Sequence, residues 1–347
     1  MVKSFIHYSL SLRVWGRTKL DKVWERKLVR KGHVTMKKHT AGIHHITAIV
    51  GHPQENIDFY AGVLGLRLVK QTVNFDDPGT YHLYFGDAGG KPGTIITFFP
   101  WANAYQGRIG DGQVGVTTYV VPEGALPFWI NRLAKFSIPF QKAERFGEQV
   151  IQFDDPHGLH IELVARAAGE LNNWTFGEVT PEVAIKGFGG ATLYSSHPEE
   201  TAKVLTEVMG LERVATEGDY TRFKSNAEIG NTVDLKLVVG QRGQMGVGTV
   251  HHIAWRAQDN TDHLEWQEYV MNHGQHVTEV KDRNYFNAIY FREPGEILFE
   301  IATDPPGFAH DETMETMGSQ LMLPSQYEQQ REQLESILIP IKVRELD

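Results

Sequence analysis

The chain has 347 residues, 41% hydrophobic and 22% charged, with no cysteine and a net charge of −9. This length exceeds what one core usually supports, so two domains are expected, and the lack of cysteine excludes disulfides, zinc–thiolate sites and thiol nucleophiles. No apolar run is long enough to span a bilayer. The first 38 residues carry eleven Lys/Arg against only Asp21 and Glu25, leaving 23 basic and 41 acidic residues in the rest. An acidic body argues against nucleic-acid binding. The basic leader lacks the sustained apolar core of a signal peptide. It reads as a non-core segment, with the working chain beginning near Met36; a transit-peptide-like arm is the alternative. The expected protein is cytoplasmic and touches neither nucleic acid nor membrane, and assembly with further copies of itself stays open.

From residue 43 the pattern repeats. A strand at 43–50 is followed by a helix at 53–64, whose apolar face is Ile57, Phe59, Tyr60, Val63 and Leu64, and by strands at 67–74, 81–86 and 93–99. Residues 112–165 repeat the order, with strands at 114–121, 140–146, 149–154 and 160–164 and a helix at 126–136. A third copy spans 190–240 and a fourth 250–303. Val63-Leu64-Gly65-Leu66 echoes Val208-Met209-Gly210-Leu211, each ending a helix where a left-handed glycine cap is expected. Residues 153–162 align without a gap on residues 291–300, which makes Glu162 the counterpart of Glu300. Residues 324–338 have apolar positions at helical spacing and read as an amphipathic helix docked on the body. The expected fold is α+β, four βαβββ modules in two tandem domains, 39–167 and 187–347, joined by a linker at 168–186. This order resembles the vicinal-oxygen-chelate superfamily of glyoxalases, extradiol dioxygenases and antibiotic-binding resistance proteins. The resemblance implies paired modules curled into a cup, with metal ligands from first and last strands.

His-His occurs twice at strand starts, as His44-His45 and His251-His252. Successive side chains of a strand point to opposite faces, so each pair offers one imidazole to a given site. His44 is in register with Ile46, Ala48 and Val50, and His251 with Ile253 and Trp255. The second histidine of each pair, His45 and His252, therefore faces the polar side. Glu300 alternates away from Phe299 and Ile301 in the same way. Each histidine alone would pass for a hydrogen-bonded residue at a strand end. Two of them with a matching glutamate suggest the two-His, one-carboxylate triad that holds divalent iron with open positions. An inventory of first and last strands chooses the module pairing: only module one with module four assembles three ligands, His45, His252 and Glu300. The metal cup is thus expected between modules one and four, with Glu162 an ordinary polar residue or a relic.

A narrower resemblance follows from Ile43-His44-His45-Ile46-Thr47, Tyr81-His82-Leu83-Tyr84-Phe85, Pro92-Gly93-Thr94, Val250-His251-His252, Asp282-Arg283, Tyr285-Phe286, Tyr290 and Gly307-Phe308-Ala309-His310-Asp311-Glu312. Over residues 40–335 these segments resemble the hydroquinone ring-cleaving dioxygenases. The resemblance implies Fe(II), alternatively Mn(II), on His45, His252 and Glu300, and an aromatic diol and dioxygen as substrates. It further implies His44 and Thr47 as substrate-binding groups and Tyr290, Arg283 and His251 as catalytic groups. In those roles Tyr290 gives a hydrogen bond or a proton, His251 exchanges a substrate proton and Arg283 offsets negative charge. A glyoxalase-type lyase or isomerase would normally carry a second glutamate, which module one lacks. A resistance-type binding protein would keep the cup without turnover.

Overall fold

The computed structural model describes residues 37–346. All but the last two residues of the basic leader lie outside them. Within the described residues, sixteen strands arrive in four βαβββ groups. Module one comprises β1 (Ile43–Val50), β2 (Arg67–Asn74), β3 (Asp77–Gly86) and β4 (Ile95–Pro100); module two comprises β5 (Gln113–Val121), β6 (Phe140–Arg145), β7 (Glu148–Asp154) and β8 (His160–Ala165). Module three contributes β9 (Gly187–Tyr194), β10 (Glu212–Glu217), β11 (Tyr220–Lys224) and β12 (Thr232–Lys236); module four contributes β13 (Thr249–Ala257), β14 (Lys281–Asp282), β15 (Asn287–Arg292) and β16 (Leu298–Thr303). The intervening helices are Pro53–Ile57, Leu126–Lys135, Pro198–Lys203 and Asn260–Asn272.

The first and third helices widen into π-helical turns, Asp58–Val63 and Val204–Val208, before their glycine caps. Gly65 and Gly210 take φ of +68° and +73°. A Cβ on Gly65 would come within 2.7 Å of the Val179 side chain, and one on Gly210 within 2.2 Å of the Lys38 carbonyl oxygen. Conformation and space both require glycine there.

The strands form two eight-stranded sheets. One runs β14-β15-β16-β13-β1-β4-β3-β2 and the other β10-β11-β12-β9-β5-β8-β7-β6. Module one is therefore paired with module four through antiparallel β1 and β13, and module two with module three through β5 and β9. The linker at 168–186 separates the halves of the chain, and each sheet takes one module from each half. The main apolar core includes Ile46, Ala48 and Val50 of β1, Tyr60, Leu64 and Trp266 from helices, and Trp255 of β13. A smaller apolar cluster with Val69, Tyr84, Ile95, Ala254, Phe286 and Phe308 lies apart from it in the first sheet.

The segment after β16 closes that sheet across its two edges. Phe308 lies against Tyr84 and Tyr285 at centroid distances of 5.0 and 5.2 Å. Asp311 accepts from the Tyr285 hydroxyl at 2.8 Å on one side and from Lys70 of β2 on the other, where Glu312 pairs with Lys70 too. Arg67 and Gln71, also on β2, donate to the carbonyls of Met314 and Gly318. Lys70 is completely buried, a state a cation tolerates only when paired. Beyond the strap, the expected tail helix is shorter than its apolar spacing implied: a 3-10 turn, Glu328–Gln330, leads into Arg331–Ile337, with Leu334 buried.

Candidate metal centre

His45, His252 and Glu300 meet on the first sheet, their ligand atoms all within 4.8 Å of one another. His45 Nε2 is 3.3 Å from His252 Nε2, and Glu300 Oε2 is 3.4 Å from the former and 2.7 Å from the latter. Strand register explains the convergence: His45 is opposite Ala254, Ala254 opposite Glu300, and Glu300 opposite Tyr290. One row thus crosses β1, β13, β16 and β15. A second row, its counterpart when modules one and four are exchanged, runs from His252 through Thr47 and Thr97 to Tyr84. Thr97 holds the place of Glu300 in this row, and Tyr84 that of Tyr290.

The first histidine of each pair is where the simple parity argument fails. It placed His44 and His251 on the apolar face. The β1–β13 register instead slips by one residue between Ile43 and His45, opposite Trp255 and Ala254, and again opposite Thr47 and Ala48, between His252 and Val250. His44 and His251 are the extra residues, and a bulge lets neighbouring side chains turn to the same side. His44 Nδ1 lies 2.9 Å from His45 Nδ1, and His251 Nδ1 2.7 Å from His252 Nδ1. The β5–β9 pair slips at the equivalent positions, Gly115 and Gly189. That sheet has bulges without histidines.

These contacts set the tautomers. His44 Nε2 is 3.2 Å from the Thr303 carbonyl, so it carries the proton and its Nδ1 accepts from His45 Nδ1–H. His45 Nε2 is then a bare nitrogen directed at the centre. Burial lowers His44 far below the ordinary imidazole range and takes His251 to about 3, so both are neutral. Burial pushes the Glu300 carboxyl upward, but positive charge on the His45 and His252 side outweighs it and holds it well below the usual range; with both Nε2 atoms bare, a bound cation would supply that charge. Glu300 is thus a fully buried carboxylate, with no donor aligned on either oxygen. Two Nε2 atoms, an ionised carboxylate without hydrogen bonds and imidazoles held from behind fit a divalent metal.

The remaining expected site residues surround this point. The Tyr290 ring is edge-on to His252 at 5.7 Å, and its hydroxyl accepts from Arg283 Nε at 3.3 Å. Burial raises the Tyr290 phenol and keeps it protonated. Thr47 is fully buried, with Oγ1 2.8 Å from Thr97 Oγ1. Sequence reasoning passed over His82, Thr97 and Phe286 as site residues. Phe286 packs on His44 and His45 at 5.4 and 4.9 Å. His82 Nε2 is 2.8 Å from Thr97 Oγ1, and its Nδ1 is 2.8 Å from the Tyr84 hydroxyl. The alternation in Tyr81–Phe85, which puts His82 and Tyr84 on one face, was the available signal.

In the other sheet, Glu162 sits where Glu300 would be and has become the hub of an ion cluster. It accepts two hydrogen bonds from Arg145, at 3.0 and 2.7 Å, and others from Thr118 and Gln152. Arg145 also reaches Asp234, which pairs with Arg222. Among the described residues, His45, His252 and Glu300 form the one group of three or more such side chains close enough together to hold a metal ion.

A cup of paired βαβββ modules with a His-His-Glu centre defines a class, and the sequence agrees. The chain belongs to the Glyoxalase/Bleomycin resistance protein/Dioxygenase superfamily, whose family model matches residues 42–163 and 187–301. Within it, the chain is 73% identical over 312 residues to the "Putative ring-cleaving dioxygenase MhqO" of Bacillus subtilis, covering 90% of this chain and 100% of that one. It is 33% identical over 303 residues to the "Chlorohydroquinone/hydroquinone 1,2-dioxygenase" of Sphingobium indicum, covering 84% and 94%. A crystal structure of a "putative dioxygenase" from Bacillus subtilis superposes with a TM-score of 0.88 at 73% identity, over 89% of this chain and 100% of that one. Glyoxalase I from Zea mays shares the fold alone, with a TM-score of 0.56 at 12% identity over 76% and 92% of the chains.

Proposed function

We propose that this protein is a non-haem, iron-dependent, extradiol-type ring-cleaving dioxygenase that acts on a hydroquinone-type diol with dioxygen. The observation that carries this reading is the buried, unbonded Glu300 carboxylate facing two imidazole Nε2 atoms. His45, His252 and Glu300 would hold Fe(II), or alternatively Mn(II), and the metal supplies a common binding point and electron path for diol and dioxygen. Three protein ligands leave positions for both, and the module-one counterpart of Glu300 is the neutral Thr97. A second carboxylate of the glyoxalase kind, as a fourth ligand, has no place in that row.

The chain's own groups bind, orient and exchange protons. His44 and His251 hold the ligand imidazoles in one tautomer. Arg283, kept charged beside the Tyr290 hydroxyl, stabilises negative charge on a bound oxygen; Tyr290 presents the phenol at the wall nearest His252 and Glu300. His251, whose Nδ1 accepts from His252 Nδ1–H, carries its proton on Nε2, where it is lent to a substrate oxygen and recovered. Phe286, packed on His44 and His45, supplies apolar surface for an aromatic ring. A para-diol reaches the metal through one oxygen only, so these wall groups must fix its orientation.

The test is anaerobic loading with Fe(II), then oxygen-uptake measurements on hydroquinones and catechols in parallel. Uptake with hydroquinones, faster than with catechols, is expected. Catechol turnover well above hydroquinone turnover would overturn the para-diol assignment, and no uptake with any diol would overturn ring cleavage itself.

A further inference from the structure

The first sheet is open, so its two end regions must meet for the cup to close, and they meet at two seams. One is the strap, which ties the completely buried Lys70 of β2 to Asp311 and Glu312, and Asp311 in turn to Tyr285 beside β15. The other is a single ion pair. Arg283, between β14 and β15, lies 3.1 Å from Asp76 in the turn between β2 and β3; the Arg283 side chain is 21% exposed and that of Asp76 76%. A pair this exposed contributes little, whereas opening the strap would leave the Lys70 charge buried and unpaired. Of the two seams, the Asp76–Arg283 pair is the one that parts.

The two sides of that seam differ. Arg283 stands on the fixed side: its amide donates to the Phe286 carbonyl, and the Gly307 amide at the start of the strap donates to the Tyr285 carbonyl. Asp76 stands on a side with a hinge. β2 and β3 pair as far as Val73 and Tyr81, but the next pair is Asn74 with Asp77, which leaves Pro78, Gly79 and Thr80 without partners in β2. Beyond this slip the turn is held by the Asn74 side chain, which accepts from the Asp76 amide, and by the Tyr327 hydroxyl, which donates to the Phe75 carbonyl. Phe75 packs, half-buried, on the same apolar cluster as Tyr290.

His45, His252 and Glu300 are 2%, 5% and 0% exposed, so a diol ring reaches them only through a movement of the wall. We infer that the β2–β3 turn is the gate of the cup, with the unpaired residues 78–80 as its hinge and Asp76 as its latch on Arg283. The inference rests on the ring-cleaving reading and adds how the diol gets in. Arg283 has two partners, Asp76 through one terminal nitrogen and the Tyr290 hydroxyl through Nε. Opening the gate frees the outer end of the guanidinium, and closing it over a bound diol fixes that end again and shuts water out. Asp76 touches no substrate and is a positioning residue that acts through Arg283.

The test mixes the full chain, loaded with Fe(II) under nitrogen so that no turnover occurs, with hydroquinone in a stopped-flow fluorimeter; Trp101, stacked on Phe99 beside His251, is the reporter. Gated entry makes the observed rate level off as hydroquinone is raised, at a ceiling set by opening. Asp76→Asn, at an exposed position and equal in shape, raises that ceiling roughly two- to fivefold, the range that one exposed ion pair supports, with iron content unchanged. Asp76→Glu, which keeps the charge, stays near wild type. Added salt lifts the ceiling of the wild type and not that of Asp76→Asn, because hydroquinone is uncharged and only the latch is screened. Equal ceilings in wild type and Asp76→Asn overturn the gate and leave ring cleavage standing. A wild type that binds no hydroquinone, by this signal or by calorimetry, overturns both.

Discussion

His44 and His45 are neighbours in sequence, yet their Nδ1 atoms lie 2.9 Å apart on the same side of a strand. A bulge makes this contact available, and the contact leaves His45 Nε2 free for the ligand role proposed for it. His44→Ala and His251→Ala are therefore expected to weaken metal binding roughly 10- to 100-fold, the usual cost of losing a group that orients a ligand. Competition titrations against a chelator of known affinity measure this. Affinities equal to wild type would mean that the paired imidazoles do not act on the metal.

Direct removal of ligands has a larger effect. His45→Ala, His252→Ala and Glu300→Ala should each lose tightly bound metal while the far-ultraviolet circular dichroism stays native, since the three positions lie on strands held by the rest of the sheet. Elemental analysis after desalting gives the answer. A full equivalent of iron in any variant removes that residue from the ligand set.

Glu162 provides the contrast. Glu162→Gln is expected to leave metal content unchanged and to destabilise the protein by roughly 2 to 4 kcal/mol, because Arg145 would lose the carboxylate that compensates its burial. Urea unfolding with and without metal separates the two effects. Loss of metal in this variant would show that the wrong sheet has been assigned the site.

Tyr290→Phe should lower turnover more than metal or substrate affinity, since the phenol group is proposed to act on the reacting oxygens rather than on the metal. Iron content and Michaelis constant near wild type with a reduced kcat are expected. A raised Michaelis constant with kcat intact would make Tyr290 a binding group.

Asp155 is pushed up to about 6 by burial, against hydrogen bonds from the Leu159 and His157 amides and the Tyr60 hydroxyl. Its folded value lies above the unfolded one, so the folded state holds the proton more tightly, and stability falls as pH rises from about 4 to about 6. Relative to Asp155→Asn, the wild type should therefore become less stable across that window and level off above it. Parallel urea melts from pH 4 to 7 test the sign; a difference that grows in favour of wild type with rising pH refutes it.

Much of this arrangement was legible because it depends on period and parity. Alternation exposed His45, His252 and Glu300, and the ligand inventory selected the pairing of modules one and four that the sheets show. What parity cannot register is an inserted residue. A bulge shifts everything beyond it by one, and at His44 and His251 no glycine marks the place. The equivalent glycines, Gly115 and Gly189, stand in the other two modules, so aligning all four first strands would have flagged the slip. The strap was hidden for a different reason: Lys70 and Asp311 lie far apart in sequence, and neither sits in a pattern that announces a partner. The hydrogen bonds from Tyr84 through His82 and Thr97 to Thr47 cross three strands, so these polar residues look scattered in sequence.

Pairing the first module with the last sets the order in which the protein can be made. His45 emerges from the ribosome 207 residues before its partner His252, and Glu300 comes later still. Modules two and three are contiguous, and their sheet can close while the fourth module is still being synthesised. Until then β1 has no antiparallel neighbour in β13. On the proposed ligand set, a nascent chain that stops short of the fourth module offers a metal only His45 of the three residues, so the complete centre exists only in a finished chain.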